Sequence, residues 1–285
     1  MERGELVKMC GKNVEDMDAI KERVETLPST FKQLFTVSSF EFLKFLRGKR
    51  LLAMLLLTTI TVFLTVAISR PENSNDFISN LLAFITTFVV ISVTLFGGDA
   101  VVSEFERKTG YLVFPLPLER SVLIFGKYLS ALTASMIVVG YHYLLSIISV
   151  FLINGSLPSK VGLSFLYVFL YVLSALSIAF MISAFMKGTT GSSILTFALL
   201  FLIFPSIQSA LSFAGVKPWF LVTFAAGIST LIFEHPYPKD TTEQFGNITL
   251  HIYYPEVAIS IIVMIVYAIL CLLLCWKKAI TKEMA

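Results

Sequence analysis

The stretch "SEFERKTGYLVFPLPLERSVLIFGK", residues 103–127, sets a run of charge between two long apolar runs. Glu104 and Glu106 come first, Arg107 and Lys108 follow, and Arg120 and Lys127 close the stretch. Carboxylates and cations at this spacing make charge-assisted hydrogen bonds to an ordered partner, a chemistry of contact and not of bond cleavage. Pro115 and Pro117 prevent one continuous helix, and Tyr111, Leu112, Val113 and Phe114 offer a compact apolar surface beside the charge. Elsewhere the reactive residue types are sparse. Cys271 and Cys275 stand four apart, a spacing that could bind a soft metal on a helix, although apolar packing is the simpler reading. The histidines are His142, His235 and His251, and "EHPYP" at 234–238 is not a zinc-protease motif. No Ser-His-Asp constellation can be argued from three histidines, two of them in one loop. There is no GxxxxGK[ST] phosphate loop, since "GKYL" and "KGTTGSS" fail the spacing. Neither an enzyme nor a resident cofactor or metal is expected.

The elements that must carry these residues are apolar. Of 285 residues, 56% are hydrophobic and 14% are charged, so lipid is the expected solvent. A helix crosses the hydrocarbon core with roughly 20 apolar residues. Six runs qualify, at about 51–69, 78–97, 128–153, 163–186, 192–213 and 257–276, and none contains Asp, Glu, Lys or Arg. The expected fold is an all-α membrane protein of six transmembrane helices. Lys and Arg set its direction. Eighteen of the 22 fall in residues 1–50, 98–127, 187–191 and 277–285, and the other four are Arg70, Lys160, Lys217 and Lys239. Both termini are therefore expected in the cytoplasm of a cell membrane. The net charge of +3 is small and gathers at span ends, which suits lipid headgroups and gives no reason to expect nucleic acid.

The N-terminus does not read as a signal peptide, because residues 1–30 are charged throughout. Within this cytoplasmic segment Val14, Met17, Ile20, Val24 and Leu27 form one helical stripe ended by Pro28. Residues 31–47, "FKQLFTVSSFEFLKFLR", can place Phe31, Leu34, Phe35, Phe42, Phe45 and Leu46 on a broad face, as in a helix lying among headgroups. "RGKR" then opens span one. On the other side of the membrane, residues 214–256 form the one large excursion. Within it 219–233, "WFLVTFAAGISTLIF", is short for a crossing and reads as a re-entrant helix buried against protein. "NITLHIYY" reads as a short strand. The sequons at Asn154 and Asn247 both fall on this outer side.

Polar residues inside spans are few. His142 lies mid-span between Tyr141 and Tyr143, and it is either packed against a neighbouring helix or part of a cavity or gate. Gln208 poses the same alternative, and Pro205 should kink its helix. Thr58, Thr61, Ser174 and Ser177 are expected helix–helix contacts.

The 98–127 stretch resembles the corresponding part of the ABC-2-type permease family, the membrane subunits of many ABC exporters. Acidic residues at Glu104 and Glu106 precede Thr109, an apolar run including Tyr111 follows, then Pro117 and Arg120, then Gly126 and Lys127 open the third span. Lys108 stands where that family prefers glycine, and Gly110 follows. "FEFLKFLRGKR" is similar to the family's entry segment, with Glu41 and Arg47 at the expected places. The resemblance covers residues 31–285 and implies an elbow helix, a cytoplasmic coupling helix at 100–120 and an outer re-entrant helix. It also implies pairing as a homodimer or heterodimer with a second permease, and docking of a separate ATPase subunit that uses ATP and Mg. Three other readings compete with it. A secondary transporter would be expected to carry coupling-ion acids in its spans, and these spans have none. An intramembrane hydrolase lacks its motif. A membrane anchor or assembly subunit for a soluble complex shares the outline.

Overall fold

The structure is a computed structural model that describes residues 30–69, 73–106, 120–245 and 248–281. The stripe expected between Val14 and Leu27 lies outside the described residues. The chain is a helical, multi-pass integral membrane protein. Among the described residues six stretches are long and apolar enough to cross a membrane: Arg50–Ile68, Ser74–Glu104, Ser121–Asn154, Val161–Phe185, Thr189–Phe213 and Val257–Ala279, here spans one to six.

Ahead of them runs α1 (Thr30–Arg47). Its apolar residues lie within one broad arc, as expected, but the bundle covers only part of that arc. Phe45 is buried and Leu34 and Phe42 are half-buried against the bundle, whereas Phe31, Phe35 and Leu46 point away from it. Span one is α2 (Arg50–Ile68). Span two is broken into α3 (Ser74–Leu82) and α4 (Ile85–Gly97), and a short α5 (Val102–Glu106) continues it past the expected end near residue 97. Span three lies in α6 (Arg120–Asn154), a helix that starts eight residues ahead of the apolar run at 128–153. Lys127 is paired by carboxylates from two other elements, and the helix runs straight through it. Span four is α7 (Val161–Phe185). Span five joins α8 (Thr189–Phe197), a π-helical stretch (Ala198–Ile203) and α9 (Phe204–Phe213). Pro205 has no N–H to give the preceding turn, and the chain adjusts by widening that turn just ahead of it. Two short helices, α10 (Val222–Ala226) and α11 (Ile228–Leu231), precede a hairpin of β1 (Thr241–Phe245) and β2 (Ile248–Ile252), and α12 (Val257–Thr281) forms span six.

The core centres on α7. It packs against α12, α4, α6 and α8, and its small residues Ser174, Ala175, Ser177, Ala179, Ser183 and Ala184 are all buried. Small side chains let helix backbones approach closely where water supplies no driving force. Of the hydroxyls expected at helix contacts, Thr58, Ser174 and Ser177 are buried, and Ser177 also meets the Tyr128 hydroxyl of α6 at 3.0 Å. Thr61 bonds back to the Leu57 carbonyl of its own helix.

The segment after span five is tied down by polar contacts. Lys217 Nζ reaches Asp240 at 2.9 Å and Glu256 at 3.1 Å, and Asp240 also accepts the Tyr254 amide at 2.8 Å. Burial works against charge at both Lys217 and Asp240. The bonds outweigh it, holding Lys217 above its ordinary pKa, while the Tyr254 amide and Lys217 hold Asp240 below its own. Strand β2 sits where the sequence places a strand and pairs antiparallel with β1, Thr241 opposite Ile252. The hairpin is the departure from an all-α fold. The residues of α10 and α11 are largely buried, packed on α7 and α12.

One close approach sets the position of α1. A Cβ built on Gly126 of α6 would stand 2.7 Å from Val37 Cγ1 and 3.4 Å from the Leu34 carbonyl oxygen, whereas one on Gly140 of the same helix meets nothing within 4 Å. Gly126→Ala should therefore destabilise by about 1–3 kcal/mol through overpacking, while Gly140→Ala should be neutral or gain up to about 1 kcal/mol from helix propensity. Melting temperatures of the two detergent-purified variants check this, and equal responses at both positions would contradict the proposed contact.

Candidate functional site

The close contact at Gly126 brings α1 alongside the next residue of α6, Lys127. Its side chain is 4% exposed. Such an ammonium is stable only when paired and hydrogen-bonded. Two carboxylates meet it: Glu104 of α5 at 2.6 Å and Glu41 of α1 at 3.0 Å. Glu41 also lies 3.4 Å from Lys44, one turn along α1. Three elements distant in sequence thus share one ion cluster. Glu104 lies in the helix before the 107–119 segment and Lys127 two turns into the helix after it, so their bond ties together the two flanks of that segment.

A second pair borders the cluster. Arg50 Nη1 donates to the Leu95 carbonyl at 3.0 Å and stands 3.6 Å from Asp99. Between the pair and the cluster lies a cavity of about 130 Å³ lined by Glu41, Arg50, Asp99 and Lys127 among others. Asp99 is absent from the sequence reading, and Arg50 figures there only as an orientation signal. An acid directly after Gly97-Gly98, at the end of an apolar run, was the available clue.

The stem from Gly97 to Glu106 is fixed by side chains of other spans. Ser183 Oγ of α7 accepts the amides of both Val101 and Val102 at 3.0 Å, satisfying donors that open α5. Ser192 Oγ of α8 donates to the Gly98 carbonyl at 2.5 Å. Glu106 accepts the amide of Thr189, the first residue of α8, at 2.7 Å. On a helix, residues two apart face different directions. Glu104 accordingly turns to span three and Glu106 to span five.

Of the other expected site residues, Arg47, His142 and Gln208 stand apart from this group. Thr109, Tyr111 and Pro117 lie outside the described residues. Arg120 is the first residue of α6, and Arg47, at the end of α1, is exposed. His142 is fully buried, its ring lies tilted by 45° against Phe88 at 5.1 Å between centroids, and its Nε2 lies 3.1 Å from the Leu81 carbonyl. That carbonyl is among the last of α3, where helix partners run out at the break in span two. Gln208 is half-buried on α9, a helix with no fully buried residue. Cys271 and Cys275 are buried free thiols, and among the described residues no group of three His, Cys, Asp or Glu side chains is placed to hold a metal.

Over residues 36–285 the sequence matches the family described as "Protein of unknown function (DUF2705)". The chain belongs to this family. The matched region holds every residue of the ion cluster and all six spans of this DUF2705 member. No curated protein matches the chain.

Removing the cation alone leaves two carboxylates facing each other out of water. Lys127→Met should therefore cost about 3–5 kcal/mol. Adding Glu41→Gln and Glu104→Gln removes the stranded charges and should recover most of the loss. Melting temperatures of the single and triple variants test the cluster; a harmless Lys127→Met would show that the ammonium is not held as described.

Proposed function

We propose that this chain is the permease subunit of an ABC exporter, lining a membrane pathway as a homodimer or beside a second permease. A separate ATPase subunit, using ATP and Mg, docks on the 100–120 stretch and drives it. One observation carries the reading. The Glu104–Lys127 bond ties together the two flanks of the 107–119 segment, and Glu41 adds the elbow helix to the same knot, so a push on that segment is passed to α1 and span three. Energy moves a protein between states only through contacts that differ between them. Thr109, Tyr111, Pro117 and Arg120 supply the surface that the ATPase grips, and the chain's own sequence has no phosphate loop.

The same reading puts both termini in the cytoplasm of a cell membrane, following the eighteen-to-four division of Lys and Arg. It makes α10 and α11 a re-entrant element of the outer leaflet. Their shortness and burial support this, because irregular backbone at membrane depth is tolerated only where protein covers it.

Purification of the tagged chain from its native membranes should bring down a protein bearing a phosphate loop. Tyr111→Ala with Arg120→Ala should weaken that association and lower nucleotide hydrolysis while leaving insertion intact. Absence of any such ATPase from the wild-type preparation would refute the permease reading. For the topology, single cysteines at Asn75 and Thr242 should react with an impermeant thiol reagent applied from outside, and one at Lys187 should not. The reverse pattern would invert the orientation.

A further inference from the structure

We propose that Glu106 is a positioning residue for span five: its carboxylate caps that span from outside the helix and makes the span follow the stem that leads into the 107–119 segment. The proposal rests on the permease reading only for what moves the stem.

Helix α8 opens without a cap of its own. The residue before Thr189 is Gly188, in extended backbone geometry (φ −125°, ψ 142°), which has no side chain to accept the first amides. Helix starts need such acceptors, and a negative group there also meets the positive end of the helix dipole. Glu106 supplies the acceptor from 83 residues away. The second tie, Ser192 to the Gly98 carbonyl, ends on the same stem. A Cβ on Gly98 would stand 3.2 Å from Ser193 Cα, so stem and helix are in direct contact there.

The rest of span five is loosely held within the chain. Only 11% of its apolar stretch is buried, against 67% for span four, and α9 has no buried residue. Between the two halves lies the π-helical stretch Ala198–Ile203, immediately before Pro205. Wide turns of this kind bend more readily than regular helix. A helix fastened at its first turn and free beyond a soft point takes its direction from the fastened end. The stem, in turn, is bound to span four through Ser183 and to span three through Glu104. Glu106 extends that linkage to span five.

A cap and a positioning contact can be separated. Gly188 has negative φ, and a Cβ there meets nothing closer than Glu106 Oε1 at 3.9 Å, so Gly188→Asp can install a local cap. The test uses the chain alone, in detergent, with its native cysteines replaced by alanine and nitroxide labels at positions 163 and 206. Wild type should give one narrow distance between spans four and five. Glu106→Ala should broaden it and raise amide exchange at Thr189 and Thr190 by about tenfold, the size of a lost cap. Glu106→Ala with Gly188→Asp should return exchange to the wild-type rate while the distance stays broad. Recovery of the narrow distance in the double variant would reduce Glu106 to a cap and overturn the proposal, as would an unchanged distance in Glu106→Ala. Should Glu106→Ala fail to insert, Glu106→Gln serves, with an intermediate width expected and a wild-type width counting against the proposal. No ATPase enters the measurement, so its outcome is separable from that of the co-purification.

Discussion

A single ammonium, that of Lys127, lies out of water and must be matched by negative charge brought from elsewhere in the chain. Glu41 and Glu104 do so from an amphipathic helix and from the short helix that continues span two. Because an unpaired charge in such a place costs several kcal/mol, neither α1 nor α5 can take another position without a large loss. Gly126 completes the arrangement by allowing α1 close enough for Glu41 to reach. This end of the bundle is therefore held by charge pairing as well as by packing.

The same logic governs uncharged groups. Backbone amides and carbonyls released by an irregular helix have no water to turn to at membrane depth, so neighbours must meet them. The break in span two is answered by His142 at the Leu81 carbonyl, and the turn into α5 by Ser183 at two amides. Gly98 receives Ser192, and Thr189 receives Glu106. Each of these contacts joins two spans. Irregularities that would weaken an isolated helix thus become the joints between helices.

The spans were legible because unbroken apolar runs need no long-range information, and strand β2 because its alternation is local. Its partner β1, "TTEQF", carries no apolar alternation and becomes a strand only through pairing. Helix α6 starts eight residues ahead of the apolar run at 128–153. A lysine marks a membrane edge only when water or headgroups neutralise it, and here two distant glutamates do. Glu104 and Lys127 stood out in the charged stretch, and Glu41 through the resemblance of its segment to a permease entry helix, but that they meet is a tertiary fact. Ser183 and Ser192 could not be distinguished from the many other serines of the spans, since what marks them is the backbone group they face.

The length of α6 has a mechanical meaning. Its 35 residues extend about 52 Å, well beyond the roughly 30 Å of the hydrocarbon core. Near one end it carries Lys127, and Trp276 of α12 donates to its Ser121 at 3.1 Å. Toward the other, Tyr143 meets Ser164 at 2.6 Å, and Ser164 donates at 2.5 Å to the Ser229 carbonyl of α11. One unbroken rod therefore joins the ion cluster directly and, through Ser164 of α7, the buried segment beyond span five. A rod tilts as a whole: about 5° of rotation displaces its ends by about 4–5 Å relative to each other. The helix is in this sense a lever whose two arms end on opposite faces of the bilayer, and its leverage depends on there being no proline or π-helical turn between Arg120 and Asn154.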